Sequence, residues 1–268
     1  MYPRKATPLI IVGRQRAGTR FLTDILNSFT GVAIQGELPN PVMRAVEQMI
    51  RSVDAFYSEL AETGAARHRV QREGWLKKRE YLIFSIWENA GQGTRVKFNS
   101  KTRYIGYKRP NNESYFDFYE ASFRFRPPFY IYCTRNFVDN YLSIISRWPE
   151  RTIEQVASDY LESTAQYHRM SARAPERALL FNLDDYIKHG LQYIENFITA
   201  PLGLHLGNEH RQRLKKVKAR NRTAEDLKLP RRKVLTTEEQ QFIHAHPELE
   251  REFEKLCLSY KCPRQALS

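Results

Sequence analysis

The sequence predicts an α/β fold with a central parallel sheet between two helical layers. Three observations lead there. Near the N-terminus an apolar strand runs into a glycine loop and then a helix, the opening of a nucleotide-binding α/β unit. A second strong strand followed by a helix recurs mid-chain. The 268 residues, 41% hydrophobic and 12% aromatic, suffice for one domain over 1–268 with a substantial core.

Pro8-Leu-Ile-Ile-Val-Gly13 is a short apolar run rich in β-branched residues and closed by glycine, the pattern of a buried parallel strand. After the loop Arg14–Gly18, a helix is expected over Thr19–Phe29. Phe21, Leu22, Ile25, Leu26 and Phe29 share one face, and Gly31 stops it. Residues 40–92 read as helical and irregular, with a basic stretch from Arg67 to Arg79, and a short strand is expected at Arg95–Phe98. Pro127 and Pro128 introduce the second strong strand, Phe129–Thr134, followed by helices over Val138–Arg147 and Ile153–Met170. Ala178–Leu183 reads as a third strand, and a helix is expected around 187–199. The segment Arg211–Arg222 is dense in Lys and Arg. Thr236 with Glu239 forms a capping box that opens a terminal helix pair ending near Leu258.

The net charge of +13 favours a polyanionic partner: nucleic acid, an acidic polymer or a multiply phosphorylated small molecule. The placement of the charges argues for the last. No apolar run reaches the roughly 18–20 residues that span a bilayer, and Arg4 and Lys5 ahead of a strand-sized run do not make a signal peptide. A cytoplasmic enzyme without a transmembrane segment is expected. Cys133, Cys257 and Cys262 cannot all pair and include no C-x-x-C motif, which suits a reducing compartment. The seven histidines are scattered, with no metal-ligand spacing.

The string Gly13-Arg-Gln-Arg16-Ala17-Gly18-Thr19-Arg20 nearly satisfies G-x-x-x-x-G-K-[ST]. Its geometry suits an anion, because backbone N–H groups at a helix N-terminus form a nest for phosphate. Its chemistry does not suit a magnesium nucleotide. Thr19 stands where the lysine belongs, Arg20 stands where the metal-holding hydroxyl belongs, and the second strand ends in Thr134-Arg135 rather than a carboxylate. Arginine in place of metal and lysine means an anion neutralised by the protein itself.

At this loop the chain resembles the sulfotransferases that use 3′-phosphoadenosine 5′-phosphosulfate (PAPS). Their 5′-phosphosulfate loop, x-[KR]-[SG]-G-[TS]-[TS] between strand and helix, is matched by Arg16-Ala17-Gly18-Thr19-Arg20, with Phe21 following. Arginine at the first position is common in bacterial and carbohydrate-acting branches. Arg20 in place of the second hydroxyl is a departure shared with polysaccharide-acting members. The resemblance implies a P-loop-like three-layer α/β/α fold with a central parallel sheet, PAPS as donor, PAP as product and no metal.

The family's second signature is an arginine after a strand and a serine eight residues later, both on the 3′-phosphate. Arg135 and Ser143 stand at that spacing, and Arg147 is expected one helical turn beyond Ser143 on the same face. Gly36-Glu37-Leu38 resembles the segment carrying the catalytic glutamate in tyrosylprotein, trehalose and Nod-factor enzymes, which makes Glu37 the expected base. Lys108-Arg109-Pro110 resembles a K-x-P motif whose lysine approaches the leaving oxygen. Lys97, Lys101 and Arg109 stay open as rivals to Lys108. The basic segment aligns with a loop closing over the nucleotide at about 205–235. Lys218 and Arg220 are the expected contacts to the 3′-phosphate there, with Lys216 and Arg222 open. Residues 40–92 would then be an acceptor-side helical insertion.

The expected reaction is sulfuryl transfer from PAPS to a hydroxyl of a carbohydrate or glycolipid, with peptide tyrosine as the alternative acceptor. A P-loop kinase is opposed by the missing lysine and carboxylate. A basic nucleic-acid-binding module is opposed by the loop, so no nucleic-acid partner is expected.

Overall fold

The computed structural model describes residues 6–90, 97–208, 210–212 and 232–261. Its elements in chain order begin with β1 (Thr7–Gly13), α1 (Thr19–Leu26), β2 (Val32–Gln35), α2 (Asn40–Glu62), α3 (Ala66–Ala90), β3 (Tyr104–Lys108), α4 (Phe116–Ser122) and β4 (Phe129–Thr134). They continue with α5 (Phe137–Ile145), α6 (Ile153–Arg173), β5 (Ala178–Asn182), α7 (Leu183–His189), α8 (Leu191–Ile194), α9 (Thr237–Ala245) and α10 (Glu248–Lys261). The five strands form one sheet in the order β2-β3-β1-β4-β5, the central parallel sheet of an α/β fold. No helix among the described residues is long and apolar enough to cross a membrane.

Contacts divide the chain into two compact units. Of the described residues, one unit holds those up to Ile10 with those of Phe29–Arg109 and Ser114–Phe129; the other holds Ile11–Ser28, Pro110–Glu113 and those from Tyr130 onward.

In the first unit β2 and β3 pair in parallel, with Gln35 opposite Tyr107. Gly106 lets this strand approach its neighbours, since a Cβ there would lie 2.6 Å from the Leu9 carbonyl oxygen and 2.7 Å from Ile34. Neither strand is among those the sequence predicts, which include one at Arg95–Phe98. The described part of that segment is not strand. Both real strands are short, and β3 carries an interior glycine and a terminal lysine, which weakens a propensity signal. The insertion over 40–92 resolves into α2 and α3, which pack on each other. Ile83, Phe84 and Trp87 of α3 recur at helical spacing and are buried. Trp87 stacks on Tyr107 at 5.5 Å and 14°, tying α3 to β3.

In the second unit β4 and β5 are parallel neighbours, with Thr134 opposite Asn182. Phe137, Tyr141, Ile144, Val156, Tyr160 and Leu249 form one apolar cluster between α5, α6 and α10. Capping boxes open α6 at Thr152 with Gln155 and α9 at Thr236 with Glu239. The helix expected to Phe29 ends at Leu26. The one expected around 187–199 is broken at Gly190, whose φ of 58° ends α7 before α8 begins.

Candidate active site

In the second unit β1 ends at Gly13, where φ is 117° and a Cβ would lie 2.1 Å from the Cys133 carbonyl oxygen. Only glycine fits there. The Arg14 N–H donates to that same oxygen at 3.0 Å, so the loop leaves the sheet at a fixed angle. Arg16 is held at φ 66° and Gly18 at φ 88°, left-handed conformations that turn successive N–H groups to one side. α1 then begins with neither a side-chain cap nor an acidic residue in its first turn. Among the described residues no side chain caps this end, and the N–H groups and positive dipole end of such a helix start suit an anion.

Arg16 reaches across 127 residues of sequence. Its Nε donates to Ser143 Oγ at 3.1 Å, so the first motif and the serine of the second share one place. β4 delivers Arg135, whose guanidinium donates to Asp139 at 2.9 Å and lies 3.9 Å from Asp184. Asp184 also accepts from the Asn136 N–H at 2.7 Å and from its amide at 3.0 Å, which fixes the turn into α5. Ala17 and Thr19 are buried, whereas Arg20 is exposed and Phe21 packs on Tyr186 at 4.9 Å. Arg147 departs from expectation: α5 ends at Ile145, so Arg147 falls outside the helix, with its guanidinium 5.0 Å over the Trp148 ring. Lys216, Lys218, Arg220 and Arg222 lie outside the described residues.

In the first unit the register places the residues after β2 beside those ending β3. Glu37 follows Gln35 by two positions, and Lys108 follows its partner Tyr107 by one. Accordingly Lys108 Nζ and Glu37 Oε1 form an ion pair across 71 residues of sequence. The lysine side chain is 10% exposed and the carboxylate 49%, so the acid is presented outward on a buried cation. Arg109 is occupied elsewhere: it donates to the Leu38 carbonyl and the Asn40 side chain at the start of α2. Lys97 and Lys101 are exposed in the segment before β3. Buried Tyr107 accepts the Leu38 N–H at 3.3 Å, and burial raises its phenol pKa.

The family model described as the sulfotransferase family matches residues 8–193. The chain belongs to the sulfotransferase family. Its fold is that of the sulfotransferase domain from the Synechococcus PCC 7002 olefin synthase, with a TM-score of 0.51 and 14% identity over 91% of this chain and 95% of that one. The sulfotransferase domain from the curacin biosynthetic pathway aligns with a TM-score of 0.48 and 13% identity over 90% and 97% of the two chains. Sulfotransferase STF9 from Mycobacterium avium aligns with a TM-score of 0.47 and 12% identity over 91% and 76%. No curated protein sequence matches the chain.

Two residues of this sulfotransferase brace the loop without a sequence signal of their own. Arg14, only 2% exposed, donates to the Asp159 carbonyl at 2.7 Å and lies 5.9 Å over the Tyr160 ring; desolvation lowers its pKa. Asn140 is fully buried, and its amide donates to the Gln15 carbonyl at 2.7 Å, bracing the loop from α5. An arginine in a polar loop carries no sign of burial, and Asn140 lies among residues read only for helical pattern.

Proposed function

We propose that this sulfotransferase takes the sulfuryl group of PAPS, releases PAP and sulfates a hydroxyl of a carbohydrate or glycolipid. The observation that carries the donor assignment is the Arg16–Ser143 bond beside an uncapped helix N-terminus. It supports a cradle in which the α1 N–H groups and Arg16 hold the phosphosulfate while Ser143 and Arg135 take the 3′-phosphate. Arg135 is charge-assisted and pre-oriented by Asp139. Lys218 and Arg220 would add cations from the closing segment.

Chemically, the acceptor oxygen attacks sulfur, Glu37 takes its proton, and the bond from sulfur to the bridging oxygen breaks toward PAP. Lys108 supports the charge that grows on the departing oxygen. Its pairing with Glu37, together with the engagement of Arg109 at Leu38 and Asn40, supports Lys108 over its rivals. We read both units as parts of one sulfotransferase domain. Gly36-Glu37-Leu38 and Arg20 support the saccharide acceptor. The free thiols of Cys133 and Cys257 support a reducing compartment, the cytoplasm.

Calorimetry with PAP, ATP and duplex DNA tests the donor assignment. Heat with PAP alone is expected; heat with ATP and magnesium, or with DNA alone, overturns it. A screen of saccharides and tyrosine peptides with labelled PAPS then tests the acceptor class.

A further inference from the structure

The donor loop does not account for the basic stretch Arg67–Arg79. It lies on α3, and there, in the first unit, α2, α3, the end of α4 and Arg124 just beyond it line an open cleft of about 320 Å³. That is at the small end of the roughly 300–1,000 Å³ of ligand pockets. Its floor is built and saturated. Arg79, 3% exposed, donates to the Ser122 carbonyl at 3.1 Å, to the Ala121 carbonyl and to Asp54. The other oxygen of Asp54 accepts the Trp75 indole N–H at 2.6 Å. Trp75 is stacked on Tyr57 at 6.1 Å and 22°, so the ring is held from behind with its N–H already spent.

Two wall cations remain. Arg72 and Arg124 line the cavity, and neither makes a hydrogen bond or ion pair among the described residues. Arg79 cancels Asp54, and Glu120 offsets one of the two, which leaves one net positive charge. An oriented aromatic ring and two unspent guanidinium forks suit a ring-shaped polar ligand that bears one anionic group. The cavity also stands apart from Glu37. Asn40, gripped by Arg109 just past Glu37, lies fourteen residues before Asp54 on the same helix. At 1.5 Å per residue that is about 21 Å along α2.

We infer that this cavity is an accessory acceptor subsite for an acidic sugar residue. The sugar ring packs on Trp75, and its carboxylate or sulfate is clamped by Arg72 and Arg124. An acceptor reaching both the subsite and Glu37 is an extended oligosaccharide rather than a single sugar. The inference rests on the carbohydrate reading above.

The test is saturation-transfer NMR and calorimetry on the full chain loaded with PAP, at fixed low salt, using trigalacturonate and the neutral cellotriose as probes. Trigalacturonate is expected to bind the wild type more tightly than cellotriose. Arg72→Gln with Arg124→Gln is expected to weaken it about tenfold or more, and Trp75→Leu to weaken both sugars, with PAP affinity unchanged in each variant. Equal binding of the two sugars, no binding of either, undiminished trigalacturonate binding in the double variant, or displacement of the sugar by a single-stranded oligonucleotide at equal charge overturns the subsite. Failure of the underlying reading looks different: labelled PAPS then sulfates a tyrosine peptide and no saccharide.

Discussion

Replacing Arg16 by glycine should move stability and donor binding independently, because its backbone is strained and its proposed contact to the donor is made by the side chain. A non-glycine side chain at φ 66° costs about 1–2 kcal/mol relative to the right-handed region. Arg16→Gly removes that strain but adds back about 0.5–1 kcal/mol of unfolded-chain entropy. It also loses the half-buried bond to Ser143, a further loss of about 1 kcal/mol. These contributions nearly cancel, so Tm should stay within about 4 °C of the wild type. Donor binding has no such compensation. Two charge-assisted bonds from one guanidinium, about 1.5 kcal/mol each, amount to roughly a hundredfold in the affinity for PAP. Paired thermal melts and PAP calorimetry decide it. Unchanged PAP affinity would refute the assignment of Arg16 to the donor. A fall in Tm of ten degrees would refute the strain argument.

Glu37→Gln should bind PAP as the wild type does and lose about 10²–10⁴-fold in turnover with labelled PAPS; full activity removes Glu37 as the base. Gly13→Ala puts a methyl group 2.1 Å from the Cys133 carbonyl oxygen at φ 117°, and should cost more than about 4 kcal/mol, read as loss of folded protein on expression. Glu113 is buried and accepts from Ser163 Oγ at 2.7 Å; burial raises its pKa, while that bond and the Arg14 charge only partly oppose the rise. The folded chain therefore holds this proton more tightly than the unfolded one. The stability contributed is complete below the unfolded value and lost as pH rises through the folded value. Between pH 5 and pH 8 the wild type should lose more Tm than Glu113→Gln does; parallel curves would show that Glu113 does not titrate in this way.

Much of this was legible in the residues because it is local. The run Leu9–Val12 with Gly13 marks a buried strand and a tight exit wherever it occurs. Thr236 and Glu239 satisfy each other's backbone within one turn, so a capping box needs no tertiary help. Arg147 shows the limit: its expected face assumes a helix continuing past Ile145, and the helix stops there. The strands β2 and β3 were missed because four and five residues, one a glycine, become strands by pairing with each other rather than by preference.

The loop Gly13–Arg20, read by itself, determined a strand exit and a helix start, and it predicts an anion held there by arginine. Nothing local could determine that Lys108 rather than Arg109 meets Glu37. Consecutive residues of a strand point to opposite faces, and only the parallel register of β2 on β3 brings a side chain 71 residues away to the carboxylate. The same holds for Arg16 and Ser143, and for the burial of Arg14. Charge and turn chemistry are written in neighbours along the chain, whereas proximity and desolvation come into being when the sheet closes.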